Sequence, residues 1–350
     1  MGLTHPRDLD AWRRWEQHQR PLAARVTGAI RARRGVETTA VLTSAGDQPR
    51  VLVALEALKD TTRLSQLSPV GHLDPGDVAV LSPTPVLDDL TPMAPAVEWA
   101  GRPGLADALA AAAVRQNSIV LSTGHYAALG AASRQQLREP SRFLTVQHGL
   151  LTPSAPPLAE GTTLLAWSDA DADFWRSGRD DVTTVTVGSQ LLWEAARAPR
   201  VEVADERPVF LGQLHGAELP RAAMAASAKR FCLRTGATYR PHPSETDRAS
   251  RRQHAQWEAE GIEVDRSTTP LVELRRPVVS AYSTGVLEMA ARGIPAWVHF
   301  DDPPAWLREF WDRYSLAPWG GEPTPAPRQP DLEPARAVAD HITQLLGESS

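Results

Sequence analysis

Short apolar runs bounded by turn residues recur along the first half of the chain. A run of this kind predicts a strand, because strands are short and turn residues interrupt them. The alanine-rich segment Leu105–Gln116 predicts a helix among them. Apolar strands that alternate with helices are typical of a doubly wound domain whose parallel sheet is buried on both faces. The predicted strands are Thr39–Thr43, Val51–Ala54, Asp77–Leu81, Ser118–Ser122, Phe143–Gln147, Thr163–Trp167 and Thr183–Val187.

The same alternation starts again after a polar segment, residues 196–208, which we interpret as an interdomain linker. The predicted fold class is α/β, with two Rossmann-like doubly wound domains facing a cleft. We expect an N-terminal domain over residues 1–198 and a C-terminal domain over residues 206–350; a crossing of the last helix back to the first domain stays open. The second set comprises the strands Val209–Leu211, Thr238–Arg240, Ile262–Val264, Val278–Ser280 and Ala296–Val298, and the helices Arg221–Thr235, Glu245–Glu260, Pro270–Leu274, Val286–Arg292 and Leu332–Leu346.

Composition narrows the class of protein. The chain has 350 residues, of which 42% are hydrophobic and 23% are charged, as in ordinary globular proteins. A net charge of −5 argues against a nucleic-acid partner, which would require a basic surface. The single cysteine, Cys232, excludes an intrachain disulfide and falls at a core position of a predicted helix. The sequence shows no signal peptide and no apolar run of about 18 residues, so we expect a cytoplasmic location.

A basic segment precedes the first predicted strand. Residues 8–34 predict a helix that carries Trp12 and Trp15 among several arginines. Such a helix can lie on the anionic inner face of a membrane, which would place the protein there as a peripheral partner. The alternative is a solvated helix that packs its two tryptophans onto the domain. Both interpretations stay open on the sequence.

The most informative chemical motif lies between the predicted strands 278–280 and 296–298. A turn of small residues, Ser283, Thr284 and Gly285, opens a predicted helix there. Free backbone N–H groups and the positive end of the helix dipole gather at a helix N-terminus, so the turn suits a phosphate. Glu288 follows one turn later, within reach of a ribose hydroxyl. The motif therefore predicts a nucleotide-linked substrate.

The strand end at Thr238–Arg240 carries candidate ligands for a donor phosphate. Two prolines stiffen the loop that presents Arg240 and His242, and either side chain can neutralise phosphate charge as a leaving group departs. The alternative is an ordinary loop in which Ser244 caps the following helix.

A weaker candidate follows the predicted strand Val209–Leu211. Gly212 permits close approach of the backbone, and Gln213 or His215 could face the cleft. An ordinary glycine turn explains the same residues equally well.

The candidate base of the N-terminal domain is His148, which ends a predicted strand just before a glycine. Open α/β sheets bind ligands at the carboxyl ends of their strands, and a histidine there can take a proton from an attacking hydroxyl. The alternative is a histidine that only caps a turn. His125 follows another strand and either lines the cleft or closes a turn.

Other patterns exclude familiar classes. The acidic run Asp169–Asp173 lacks the glycine and glutamate of a calcium loop, so we interpret it as a helix start with Ser168 as N-cap. The glycine fingerprints of dinucleotide-binding proteins and P-loop ATPases are missing, as is the G-x-S-x-G elbow of α/β-hydrolases. No metal site is predicted.

Three strand-end motifs, taken in order, resemble those of bacterial glycosyltransferases of the GT-B fold. They are Gln147-His148-Gly149, Arg240-Pro241-His242-Pro243, and Tyr282-Ser283-Thr284-Gly285 with Glu288. The likeness is to capsular-polysaccharide and polysialyltransferase-type enzymes, and more distantly to the glycerophosphotransferases that build teichoic acids from CDP-linked donors. It covers roughly residues 143–300.

The resemblance implies a metal-independent transferase without a cofactor. Its co-substrate would be a nucleotide-sugar, with a CMP-linked sugar among the candidates, and its acceptor a hydroxyl of a cell-surface glycan or lipid-linked glycan. The role of base falls to His148, and the contacts to donor phosphate fall to His242, Ser283 and Thr284. The glutamate of the motif maps to Glu288.

The chain departs from the teichoic-acid pattern at two places. It has Leu150-Leu151 after His-Gly, where those enzymes tend to have Thr-Pro, and Ala281 where they often have an aspartate. Both departures argue against a glycerol-phosphate donor. The alternatives to a glycosyltransferase are a CDP-polyol phosphotransferase, a sugar-nucleotide epimerase and a non-catalytic nucleotide-binding protein.

Overall fold

The computed structural model describes residues 2–19, 37–267 and 269–348, which form two compact units. The first unit comprises Gly2–Leu191 and the segment that starts at Pro330. The second unit comprises Leu192–Gln329. The change of unit therefore falls inside a helix, Gln190–Arg197, whose end overlaps the segment 196–208 that was interpreted as a linker.

Both units alternate strands with helices. The strands are β1 Thr39–Ser44, β2 Val51–Ala54, β3 Val78–Ser82, β4 Ala100–Leu105, β5 Ile119–Ser122, β6 Phe143–Val146, β7 Thr163–Ala166, β8 Thr183–Thr186, β9 Val209–Leu211, β10 Thr238–Arg240, β11 Val278–Ser280 and β12 Ala296–Val298. The α-helices are α1 Leu9–Gln19, α2 Asp60–Thr62, α3 Leu87–Leu90, α4 Ala106–Ala113, α5 Ala128–Gln136, α6 Asp169–Arg176, α7 Gln190–Arg197, α8 Arg221–Thr235, α9 Arg248–Ala259, α10 Thr284–Ala291, α11 Ala305–Arg313 and α12 Pro334–Gly347.

The sheet of the first unit has the strand order β4-β1-β3-β2-β5-β6-β7-β8. The six neighbouring strands β3, β2, β5, β6, β7 and β8 run parallel. By contrast, β1 pairs antiparallel with both β3 and β4. Every residue of β2, β5 and β6 is buried, as expected for parallel strands covered on both faces. β4 and β8 lie at the edges and are largely exposed. Pro103 in β4 is tolerated there, since an edge position needs fewer ladder hydrogen bonds.

A separate apolar core covers each face of this sheet, because successive side chains of a strand point to opposite faces. Leu52 of β2 packs in the core that includes Leu109 of α4 and Leu129 of α5. The next residue, Val53, packs in the other core, which includes Ile342 of α12. The last helix thus belongs to the first unit and covers one face of its sheet.

The sheet of the second unit runs parallel in the order β10-β9-β11-β12. Two isolated parallel bridges extend it at its edges: Val264 pairs with Tyr239 of β10, and Pro318 pairs with Val298 of β12. Numbered along the chain, the six extended segments lie in the order 3-2-1-4-5-6, which is the Rossmann order. The predicted α/β class with two Rossmann-like doubly wound units is confirmed.

Several details differ from the sequence-based expectation. The antiparallel direction of β1 and the existence of β4 were not predicted, because an exposed edge segment with glycine and proline carries no strand pattern. Helix α9 begins at Arg248 instead of Glu245. Its N-cap is Asp247, whose carboxylate accepts from the N–H groups of Ala249 and Ser250, so the interpretation of Ser244 as the cap is wrong.

The described part of the basic N-terminal helix packs onto the first unit. The Trp12 indole is buried, donates to the Ser154 carbonyl at 2.8 Å and meets Tyr126 edge-on at 5.5 Å between ring centroids. The continuation to residue 34 lies outside the described residues. Within the described residues, no helix is both long and apolar enough to cross a bilayer. Membrane contact through residues 8–34 stays a prediction.

Candidate functional site

The strand order of each sheet marks where a ligand is expected. In open α/β sheets ligands bind beyond the carboxyl ends of the strands, at the point where the order reverses. In the second unit the reversal lies between β9 and β11, and in the first unit it lies between β2 and β5. Most of the sequence-predicted site residues follow strands at these carboxyl edges.

Gln213 ties the loop after β9 to the loop after β11. Its side-chain oxygen accepts from the Ser280 hydroxyl at 3.0 Å and from the Tyr282 N–H at 3.1 Å. The residue is buried. Gln213 therefore holds two strand ends together at the switch point, which gives it a structural role besides its predicted ligand role.

His215 and His242 bring the loops after β9 and β10 together. Their imidazole rings stack with centroids 3.8 Å apart and planes 18° apart. His242 accepts the Ser244 N–H at Nδ1, at 3.1 Å. This bond assigns the neutral tautomer with the proton on Nε2. His215 is exposed and His242 is half-buried, so the pair borders solvent.

Glu245 is a functional candidate that the sequence did not reveal. Its carboxylate is fully buried and accepts hydrogen bonds from Leu214 N–H, His242 N–H and the Tyr239 hydroxyl. His254 Nε2 lies 2.9 Å from its other oxygen. Burial raises the pKa of Glu245, but these hydrogen bonds, led by that of His254, outweigh it and lower the pKa.

The N-terminus of α10 is capped by its own residues. The Ser283 hydroxyl accepts from Gly285 N–H at 3.1 Å, and the Ser283 carbonyl accepts from Val286 N–H. A serine cap accepts with its oxygen, so its hydroxyl proton can still be donated to a ligand. Thr284 is half-buried and Glu288 is buried one turn further on. The predicted phosphate and ribose contacts of these residues stay predictions.

Arg240 is engaged within the second unit. Its guanidinium donates to the Thr269 carbonyl and lies 3.5 Å from the Asp265 carboxylate. The side chain is mostly buried. A phosphate at this loop would therefore compete with Asp265 for the cation.

Gly212 is required by close packing. A Cβ at this position would lie 2.3 Å from the Tyr239 hydroxyl and 2.7 Å from a Glu245 carboxylate oxygen. Gly216 meets a similar limit, since a Cβ there would lie 2.2 Å from the Tyr282 hydroxyl. The two glycines allow the β9 loop to pass against the neighbouring strand ends.

His148 lies at the carboxyl end of β6 in the first unit. It borders a small cavity with Gln147, Trp167 and Gln190, which has room for no more than about one water molecule. Its Nδ1 is enclosed and has no hydrogen-bond partner among the described residues. Burial, with a smaller effect of Lys59, lowers the pKa of His148 to about 4, so the ring is neutral at pH 7.

The switch point of the first sheet holds a second enclosed histidine. His125 follows β5, its Nδ1 also has no partner among the described residues, and burial followed by nearby arginines lowers its pKa to about 4. Across the reversal, Glu56 follows β2 and accepts the Gly130 N–H of α5 at 2.7 Å. Burial raises the pKa of Glu56. The edge of this sheet thus presents Glu56, His125 and His148 on neighbouring strands.

The acidic run is a helix start, as predicted. α6 spans Asp169–Arg176, and the Ser168 side chain caps it by accepting the Asp171 N–H. Within the described residues no group of three or more His, Cys, Asp or Glu side chains could hold a metal ion. Cys232 is buried in α8, and burial raises the pKa of its thiol to about 12.

No protein-family model and no curated protein sequence matches the chain. Among solved structures, it is similar to a Listeria monocytogenes protein that carries the provisional name UDP-N-acetylglucosamine 2-epimerase. The two chains are 13% identical and superpose with a TM-score of 0.42, over 85% of this chain and 88% of the other. A likeness at this level supports neither a family nor an activity.

Proposed function

We propose that the protein is a glycosyltransferase that uses a nucleotide-sugar donor, with the donor phosphate bound at the carboxyl edge of the second sheet. The stacked His215–His242 pair carries the proposal. It lies on the loops after β9 and β10, which Glu245 joins, and Gln213 of the β9 loop binds Tyr282 shortly before α10. A Rossmann-ordered sheet with donors at this edge is suited to an anionic, nucleotide-linked ligand.

The proposed chemistry assigns the leaving group to the second unit. An acceptor hydroxyl attacks the anomeric carbon, and the bond from that carbon to the nucleotide phosphate breaks. Negative charge then builds on the phosphate, where His242 Nε2–H and the Ser283 hydroxyl would donate. The positive end of the α10 dipole adds to this stabilisation.

The proton of the acceptor hydroxyl is assigned to His148 of the first unit. The ring is neutral at pH 7 and follows β6 at the carboxyl edge of the first sheet. A neutral imidazole at a strand end can accept a proton in the transition state. The proposed acceptor is a hydroxyl of a glycan or lipid-linked glycan of the capsular or cell-wall class.

The test is thermal unfolding with CMP, CDP, UDP, GDP and dTDP, one nucleotide at a time. A ligand present at 100 times its Kd stabilises the folded state by about 2.7 kcal/mol, so one nucleotide should raise Tm by several degrees. The rise should vanish in His242→Ala and persist in the control His72→Ala, a histidine of the first unit near Glu333.

The nucleotide that binds decides the donor class. CMP would indicate a sialic-acid-like sugar, CDP a polyol phosphate, and UDP, GDP or dTDP an ordinary hexose. A polyol-phosphate donor would move the assignment to the phosphotransferase alternative. If no nucleotide raises Tm, the transferase proposal is wrong as stated.

A further inference from the structure

The loops that carry His215 and His242 share one buried anchor. Glu245 Oε1 accepts the Leu214 N–H at 3.0 Å, one residue before His215, and the His242 N–H at 3.2 Å. A single carboxylate oxygen therefore binds the backbone next to one imidazole and the backbone of the other. The stacked pair depends on both loops keeping this position.

The other side of the carboxylate is fixed as well. Tyr239 of β10 donates its hydroxyl to Glu245 at 3.0 Å, and His254 of α9 contacts Oε2 at 2.9 Å. Burial first, and then Glu245 itself, raises the pKa of Tyr239 well above its usual range, so the phenol keeps the proton that it donates. The anchor cannot turn without breaking several hydrogen bonds in a buried place.

An independent feature of the chain accommodates the anchor. Position 212 is glycine, and any side chain there would collide with both Tyr239 and Glu245. The β9 loop, the β10 strand and the start of the 242–245 turn thus meet around one carboxylate.

We propose that Glu245 is the positioning residue of the candidate donor site: its buried carboxylate holds His215 and His242 in their stacked arrangement, ready to meet an anionic ligand. Glu245 acts through the two histidines and does not itself touch the donor. The arrangement of the rings follows from the described contacts alone, whereas the link to ligand affinity rests on the proposed function.

The first experiment follows the histidine rings by ¹⁵N-edited NMR without any ligand. In Glu245→Ala the carboxylate is removed, so the Leu214 and His242 N–H groups both lose their acceptor. The ring signals of His215 and His242 should shift, while the circular dichroism of the folded protein stays unchanged. The matched control is Tyr239→Phe, which removes one donor to Glu245 but leaves both loop amides bound, so its His215 and His242 signals should stay in place.

The second experiment measures nucleotide affinity of the same two variants, using the nucleotide that stabilises the wild type. Glu245→Ala should weaken binding about 10-fold or more, because the rings lose their fixed direction. Tyr239→Phe should bind within about 3-fold of the wild type. Equal losses in the two variants would overturn the positioning role, since both would then act only through general stability.

A measurement on the wild type covers the case in which Glu245→Ala does not fold. Amides bonded to a buried carboxylate exchange slowly with deuterium, so the Leu214 and His242 N–H groups should be protected relative to the exchange rates of an unfolded chain. Rapid exchange of both would overturn the proposal, as would unchanged ring signals in a folded Glu245→Ala. If the wild type binds no nucleotide, the donor-site proposal fails, whereas the ring signals still decide the positioning role.

Discussion

The histidines that follow the strands have different contacts in the two units. In the second unit His242 stacks on His215, its Nδ1 accepts a backbone N–H, and Glu245 anchors both loops. In the first unit the Nδ1 atoms of His125 and His148 are enclosed without a partner among the described residues. An enclosed nitrogen without a hydrogen bond is costly. The contrast is that neighbouring groups of the chain fix His215 and His242, whereas no described group binds Nδ1 of His125 or His148.

The largest effect is expected when the proposed base of the first unit is removed. His148→Ala should lower turnover about 10²–10⁴-fold, as expected for the loss of general base catalysis, and should leave nucleotide binding intact. His242→Ala should weaken nucleotide binding and lower turnover as well, because a proposed donor to the phosphate is lost. Steady-state kinetics and nucleotide-induced Tm shifts on both variants would check this. If His148→Ala lowers nucleotide binding and not turnover, the assignment of roles to the two units is wrong.

The close packing at the carboxyl edge of the second unit's sheet can be tested at Gly212. Gly212→Ala should destabilise the protein by about 1–3 kcal/mol, because the added methyl group must displace Tyr239 and Glu245 in a packed place. The control is Gly321→Ala in the same unit, where the added Cβ meets only one carbonyl oxygen at 3.9 Å. Urea unfolding of both variants gives the difference. Equal stabilities would mean that the β9 loop is not closely packed.

The enclosed histidines at the carboxyl edge of the first unit's sheet predict that the stability of the fold falls in acid. The pKa of His148 is about 4 when folded, below its ordinary value of 6.5, so the unfolded state binds the proton first as the pH falls. This contribution to stability is present above about pH 6.5 and is lost towards pH 4. Between pH 7 and pH 5 His148→Asn should lose up to about 2 kcal/mol less stability than the wild type. Urea unfolding at both pH values checks this; equal losses would mean that His148 is open to water.

The smallest effect is expected for the two serine helix caps, where substitution by alanine separates capping from ligand binding. Ser168 caps α6 in the first unit and Ser283 caps α10 in the second, each by accepting one N–H. Replacing either by alanine should cost about 1 kcal/mol of stability. Only Ser283→Ala should also weaken nucleotide binding. If it binds as tightly as Ser168→Ala, the Ser283 hydroxyl has no role beyond the cap.

Much of the fold could be predicted from local patterns. The strands β9, β10, β11 and β12 and helix α8 have the predicted bounds, since their apolar runs are short and end at turn residues. The Ser168 cap was predicted for the same local reason. The bounds of α9 were not, because Asp247 competes with Ser244 for the cap and only the path of the loop decides between them.

Only some residues of the candidate site could be predicted from the sequence. The residues that follow strands, such as His148, His242 and Ser283, could be chosen because strand ends are visible in the pattern. Glu245 was missed because it reads as an ordinary acidic residue at a helix start. Its burial and its four partners come from the loops after β9 and β10, from β10 and from α9, which no local pattern brings together.

The alternation of strands and helices, the two-unit plan and the chemistry available at the strand ends could be derived from the amino-acid sequence, because they depend on neighbours along the chain. The tertiary structure alone decided the strand order, the antiparallel β1–β4 edge, the packing of α12 onto the first unit and the stacking of His215 on His242. These features join residues far apart in the chain, and their energies come from burial and hydrogen bonds that exist only once the sheets have formed.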